Sequence, residues 1–447
     1  MTLQSALKTT ILFIISLINH ATVNKPVAPP DPTARSNECS IPSKYASSNG
    51  TADDSPAVLA AFVTCNRNAV IHFGRGVDYN ILTPIKATNL NNVMIHMQGN
   101  LHLPRDIMAV QKVVSGSVES ALSKPLYWFE FAGPGIDFLG NAYEDGWIYS
   151  YGQAWWDANP TDATGLALRP QLMSLNTTYG SLQHFKSRQP IAGNVRLIGS
   201  NIAVTDAIID ARSNSSKFPF NTFGFAVSGA NISLTNSVIF NGDYAIAIQP
   251  DSHNINFDGA TIGFASRGMT IGPIGEDPNV FASISNIRFN DVTLIDSLYA
   301  ANIRTWAGGQ GLIKDVSWSN IRNFNVTFPI FVTQAYSNPN GKQHSGKQST
   351  SDVLLEGVSF KEFSGTINTF HPGDGSCVTD PCWYNVGWPG LTHTEYVIFN
   401  CSTELSCRNI TTANIWVYPE NGETSKIICV NLKRNLNPTL GFPCGSG

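Results

Sequence analysis

Charge is what this 447-residue chain has least of: Asp, Glu, Lys and Arg together make up 13% of it, about half the roughly 25% of an average soluble domain. With 28 Lys+Arg against 32 Asp+Glu, it lacks the basic surplus that a nucleic-acid binder needs. Ala, Glu, Lys, Leu and Arg do not dominate, which excludes a coiled coil. Past the N-terminus no apolar run is long enough to span a bilayer. No cysteine stands between Cys65 and Cys377. In place of charge the chain has 41 Asn, more than all its carboxylates, with 37 Gly and 10% aromatics. That composition does not fit a disordered acidic tail.

The N-terminus reads as a secretory signal over residues 1–21. Lys8 supplies a positive start, and Thr9 to Ile18 forms a short apolar core before small residues at Ala21 and Thr22. Residues 22–447 are then the mature, extracellular protein. An oxidising compartment makes the eight cysteines a disulfide set, and spacing favours Cys39–Cys65, Cys377–Cys382, Cys401–Cys407 and Cys429–Cys444. No cysteine pair sits at zinc-ligand spacing with a second pair or a His pair, so no metal or cofactor is expected. Seven Asn-x-Ser/Thr sequons occur. Asn49, Asn176, Asn214, Asn325, Asn400 and Asn409 are candidates for glycan, whereas Asn231 is expected in a strand ladder and unused.

After a Pro-rich leader comes one clear helix, capped by Asp54 or Ser55 with Pro56 in its first turn. Beyond it a pattern repeats: Asn or Asp, then Val or Ile, any residue, then a large apolar one. It starts at Asn92, Asn194, Asn231, Asn254, Asn286, Asp315 and Asp352. A second short apolar strand usually follows. Each unit is too small to bury its apolar face alone, so units must stack into one continuous core, with Asn side chains bonding between layers at the bends. The expectation is an all-β chain, a single parallel β-helix. A sandwich or propeller would show hairpin turns at closer spacing, and these are scarce. The N-terminal helix would plug one end of the core and the Cys-bearing tail would cover the other.

A groove along such a solenoid fits an extended polymer, and glycoside hydrolysis there needs an acid, a base or nucleophile, and cations for any uronate groups. Four central segments suit this: Asn221 to Phe225, Asn241 to Ile255, Ser266 to Gly272 and Ala301 to Trp306. With the stretches near Asp53, Trp155 and Tyr336, they resemble the polygalacturonase family, glycoside hydrolase family 28, with the closer likeness to fungal exo-acting members. The resemblance implies a right-handed parallel β-helix that hydrolyses α-linked galacturonan with inversion. It also implies an acidic polysaccharide partner (pectin, polygalacturonan), with no nucleic acid and no membrane; a monomer is expected.

At the chemical positions the chain departs from the family pattern. The Asn-Thr-Asp-Gly motif stands as Asn221-Thr222-Phe223-Gly224, so Phe223 replaces a water-activating aspartate. The paired aspartates stand as Asp243-Tyr244, which keeps the expected general acid, Asp243, and loses its neighbour. The histidine of the next motif is Arg267, and Arg-Ile-Lys has become Asn302-Ile303-Arg304. Ala245 and Gly263 replace both halves of a usual disulfide. The resemblance makes Arg267, Arg304, Tyr336 and Trp306 substrate-binding candidates. Neither Phe223 nor Tyr244 can take a proton from water at neutral pH. Arg267 and Arg304 are expected to ionise Asp243. These substitutions predict a degenerate hydrolase centre, inactive or weak, that still binds pectic polymer. The alternatives are an active exo-type glycosidase with a relocated base, Asp210 ranking before Asp206 and Asp251, and a non-enzymatic binder. Phe223 and Tyr244 are expected to pack together, His253 to be structural, and at least one of the adjacent Trp155 and Trp156 to face outward as a sugar platform or loop anchor.

Overall fold

The computed structural model describes residues 29–444, except 123, 161–164, 337–350, 378–381, 383 and 385–390. The proposed signal segment lies outside the described residues. Among these, 28 strands join in one sheet, and the pairings are parallel from the first, Asn37–Ser40 on Arg67–Phe73, to the last, Glu395–Asn400 on Lys426–Val430. Each strand pairs with its counterpart one coil away. For example, Phe225–Thr235 pairs with Val195–Thr205 behind it and with Ile246–Ile248 and Ser252–Asp258 ahead. The molecule is a parallel β-helix with the right-handed winding that parallel crossovers take.

Period-two alternation builds the core. Along Phe225–Thr235 the residues Phe225, Val227, Ile232 and Leu234 are buried inside the coil. Stacking in register places like on like: Phe257, Phe289, Trp318 and Phe360 occupy one position on four successive coils. The Trp318 ring lies 5.0 Å from Phe289 and 5.1 Å from Phe360, stacked on both. Phe399 and Phe442 continue the column to the C-terminal end. At the other end, Val58 and Phe62 of the Ser55–Thr64 helix enter the same core. The plugging helix is therefore present, as is the covering tail. Asp54 takes the N-cap position without a side-chain cap bond. Its carboxylate instead accepts from the Lys44 and Asn80 backbone amides and so ties the helix to the first coils.

The Asn bends are also present. Asn201, Asn231, Asn254 and Asn286 all hold positive φ, a left-handed conformation that Asn tolerates better than most residues. Their amides form a ladder: Asn231 donates to Asn201 (3.2 Å), Asn254 to Asn231 (2.9 Å) and Asn286 to Asn254 (2.6 Å). Asn231 thus stands in the ladder. All four disulfides are paired as spacing suggested.

Two expectations need correction. Helices also occur at Ile107–Ser115, Val118–Ala121 and Gly152–Asp157; the first is capped by Asp106, which accepts from the Met108 and Ala109 amides. Trp155 and Trp156 lie on the last of these rather than on a strand, and both are buried. Adjacent helical residues are about 100° apart, so neighbours can share a buried face that a strand would split.

Candidate active site

The segment Asn241-Gly242-Asp243-Tyr244 forms the turn between the Val238–Phe240 and Ile246–Ile248 strands. Its shape is fixed by one side chain. The Asn241 amide donates to the carbonyls of Thr222, Asp243 and Tyr244, each at 2.9 Å, which locks this turn to the preceding coil. Thr222 completes the lock by accepting from the Gly242 amide. On the next coil, the Arg267 amide donates to the Asp243 carbonyl (2.8 Å), as does the Ser266 hydroxyl. Three coils therefore hold Asp243 in place.

Around it the fold gathers charge that is dispersed in sequence. The Arg267 guanidinium lies 3.5 Å from the Asp243 carboxylate and 3.0 Å from that of Asp374, whose side chain is fully buried. Arg304 sits between the Tyr244 ring (4.7 Å) and the Tyr336 ring (4.4 Å). Trp306 meets Tyr336 edge-on at 4.7 Å. Arg169 donates to the Phe220 carbonyl (2.7 Å) and its charge also reaches Asp243. Asp243, Tyr244, Arg267, Arg304 and Tyr336 thus share one locality.

Phe223 does not join Tyr244 there, and the expected packing of the two is corrected. Its ring lies on Gly193, where an added Cβ would come within 2.0 Å of Phe223 Cε1 and 2.4 Å of Gln171 Oε1. Tyr244 is occupied instead by the Arg304 cation. Asn302, outward-facing in register with Thr270 and Phe331, is fully buried with both amide atoms unpartnered.

The electrostatics reverse one expectation. Burial pushes the Asp243 carboxyl above its ordinary range, Asp374 adds to the rise, and Arg267, Arg304 and Arg169 do not undo it. The arginines were expected to ionise Asp243. Desolvation outweighs them because a charge at 8% exposure loses most of its water. The result is a carboxyl that keeps its proton to higher pH than an ordinary one, the direction that favours a proton donor. Arg267 shows the mirror effect: burial opposes its charge, and Asp374 and Asp243 more than restore it.

Asp210, on the neighbouring coil, is held by its own pair of cations. It pairs in register with Phe240, one coil away and three residues before Asp243. Arg212 grips its carboxylate with two bonds of 2.9 Å, and Arg188 lies 3.9 Å away. Burial would raise this carboxyl, but the Arg212 bonds and both cations hold it below the ordinary value, so it is ionised. Asp206 lies beside His184, apart from the Asp243 group. Asp374 and Arg169 escaped the sequence reading. Asp374 is 107 residues from its partner Arg267, and only the Gly-Asp-Gly-Ser turn beside Cys377 hints that its position is built. Of the sequons, Asn49, Asn176, Asn214, Asn231 and Asn409 are exposed. The amides of Asn325 and Asn400 are already bonded to Asp296 and Thr333.

With this geometry in view, the comparisons decide the family. The sequence model of glycosyl hydrolases family 28 matches residues 82–407. The chain belongs to that family. A probable exopolygalacturonase C of Aspergillus fumigatus is 55% identical over 93% of this chain and 92% of its own length. The protein of the same name in Aspergillus niger is 52% identical over the same shares. An endo-xylogalacturonan hydrolase from Aspergillus tubingensis superposes with TM-score 0.71 at 20% identity, over 92% of this chain and 99% of its own. At that identity the structural likeness speaks for the fold alone.

Proposed function

We propose that this family 28 protein is a secreted, exo-acting glycosidase that hydrolyses α-linked galacturonan of pectin, with Asp243 as general acid. One observation carries the reading: Asp243 is a buried carboxyl, 3.5 Å from Arg267, whose hold on its proton burial strengthens, as protonation of a leaving glycosidic oxygen favours. The expectation of a crippled centre rested partly on those arginines ionising it, and burial works against that ionisation. The names of the fungal relatives support the exo mode and the substrate. Four disulfides fit an extracellular address.

Inversion needs a second carboxylate to take a proton from water. Asp374 does not suit this role, since its carboxylate is enclosed behind Arg267. Asp210, ionised and one coil away, is the base in this proposal. Arg304, held between Tyr244 and Tyr336, would meet the substrate's uronate, and Trp306 would pack against the sugar. The test is release of galacturonic acid monomer from polygalacturonate, followed by chromatography. Asp243→Asn should lower turnover by about 10²–10⁴, with an unchanged melting curve, and Asp210→Asn should lower it comparably. Oligomeric products would overturn the exo mode. Full activity in Asp243→Asn would overturn the acid assignment.

A second reading has its own observation: Phe223 and Tyr244 carry no base, and each ring is fixed by contacts. It makes the protein a pectin binder without turnover. In that case the wild type releases no product, binds polygalacturonate, and gains hydrolysis when Phe223→Asp, Tyr244→Asp and Arg267→His are combined.

A further inference from the structure

We propose that Asp374 is a positioning residue that holds the Arg267 guanidinium off Asp243 and so preserves Asp243 as a proton donor; this deepens, and rests on, the assignment of Asp243 as general acid.

The geometry is a competition of two carboxylates for one cation. Arg267 is bound through its backbone to the Asp243 carbonyl, so its side chain starts beside the Asp243 carboxylate. Left there, an arginine would form the close pair that suits a carboxylate and would strip Asp243 of its proton. Instead Nε turns to Asp374 at 3.0 Å, and the contact to Asp243 is stretched to 3.5 Å, at the limit of a hydrogen bond. An arginine cannot relieve the conflict by losing its own proton.

Asp374 is fixed for this task. Its second oxygen accepts from both the amide (2.9 Å) and the hydroxyl (2.5 Å) of Ser376. The segment carrying it leaves the Asp352–Ile367 strand and doubles back over the outer face of the coils. The Gly373 amide donates to Thr327 there, the Asn368 side chain closes a turn with His371, and Cys377–Cys382 follows at once. Further on, Tyr384 packs with Tyr299, Phe328 and Phe331 in a second apolar cluster outside the solenoid core. A carboxylate from a distant segment is thus delivered, buried and hydrogen-bonded, to the far side of Arg267.

The charges facing Asp243 are Arg267, Arg304, Arg169 and Asp374, with Tyr244 donating its amide to Oδ1 (2.9 Å). Arg267 also faces Tyr299 and the Phe218 ring. Among the described residues, Asp374 is the one anion in that set besides Asp243. Its removal leaves three cations around a single carboxyl and frees the nearest of them to close on it.

The experiment compares wild type with Asp374→Asn in two ways. The first is the pH profile of kcat/KM on polygalacturonate. The second is a ¹³C carboxyl NMR titration, in which the Asp243 signal is assigned by its loss in Asp243→Asn. In Asp374→Asn the Asp243 midpoint should fall by about one pH unit or more, and the basic limb of the profile should fall with it. Arg267→Met should move the same midpoint upward, and it serves if Asp374→Asn does not fold. An Asp243 midpoint that stays put in folded Asp374→Asn, or in Arg267→Met, overturns the proposal. If no pectic substrate is turned over, the glycosidase assignment is what fails, and the carboxyl titration still decides the role of Asp374.

Discussion

On the bend marked by Asn201, Asn231, Asn254 and Asn286, successive coils repeat one residue, and each of the last three amides donates to the coil before it. On the face marked by Ala247, Thr270, Asn302, Phe331 and Ile398, no coil repeats its neighbour, although these residues are equally in register. Both rows sit on strands whose backbone hydrogen bonds are satisfied by parallel pairing. The bend must also adopt a left-handed conformation once per coil and satisfy the polar groups exposed there. Only a few residue types do both, so the solution recurs. The second row is free of that constraint, and it lies where Asp243, Arg267 and Arg304 gather and where the segment bearing Asp374 docks. Repetition marks where the fold is held, and its absence marks where the buried carboxyl and the cations gather.

The comparison can be broken most severely at Gly229. Its φ of 135° suits glycine, and an added Cβ would lie 1.8 Å from the Gly199 carbonyl oxygen. Gly229→Ala should cost about 4 kcal/mol or more, read as the shift in a denaturant midpoint. Unchanged stability would show that the bend is not the rigid part of the coil. Asn231→Ala should cost about 2 kcal/mol, by losing two ladder bonds and forcing alanine into positive φ. Asn231→Gly keeps the backbone at ease and should cost about half of that. Equal losses would mean that the ladder bonds carry the whole effect.

The second row should respond differently. Asn302 is fully buried with an unpartnered amide, so Asn302→Leu should leave stability unchanged or raise it by about 1 kcal/mol while lowering turnover. A destabilised variant with full activity would place Asn302 on the structural side. The smallest effect concerns pH. The Asp210 carboxyl is held below its ordinary value by Arg212 and Arg188. Its contribution is therefore present above ~3.9 and lost as pH falls through the folded value. The melting temperature of Asp210→Asn should lie below that of wild type at pH 7 and converge with it in acid. A difference that persists in acid would mean that the ion pair is not its source.

Much of this was legible in the sequence because repetition is local. The Asn-apolar spacing announced coils, bends and ladder before any contact was known, and clustered cysteines announced their own pairs. The helix at Ile107–Ser115 was missed because one short amphipathic stretch between strands leaves little periodicity to count. Trp155 and Trp156 were misjudged by assuming a strand. At the site, the turn bearing Asp243 and the coils bearing Arg267 and Arg304 were found, since neighbouring coils keep neighbouring residues near. Asp374 and Arg169 were not, because loops bring them in from far along the chain.

The sequence by itself determined a stacked β-helix with plugged ends, its asparagine ladder, and the inventory of acid, cations and aromatics on the central coils. Tertiary structure alone decided the state of that inventory. Whether Asp243 is an acid or a carboxylate depends on how much water it keeps and on which anion holds Arg267. The second carboxylate on Arg267 comes from a segment 107 residues away folding over the coil, which local pattern does not encode.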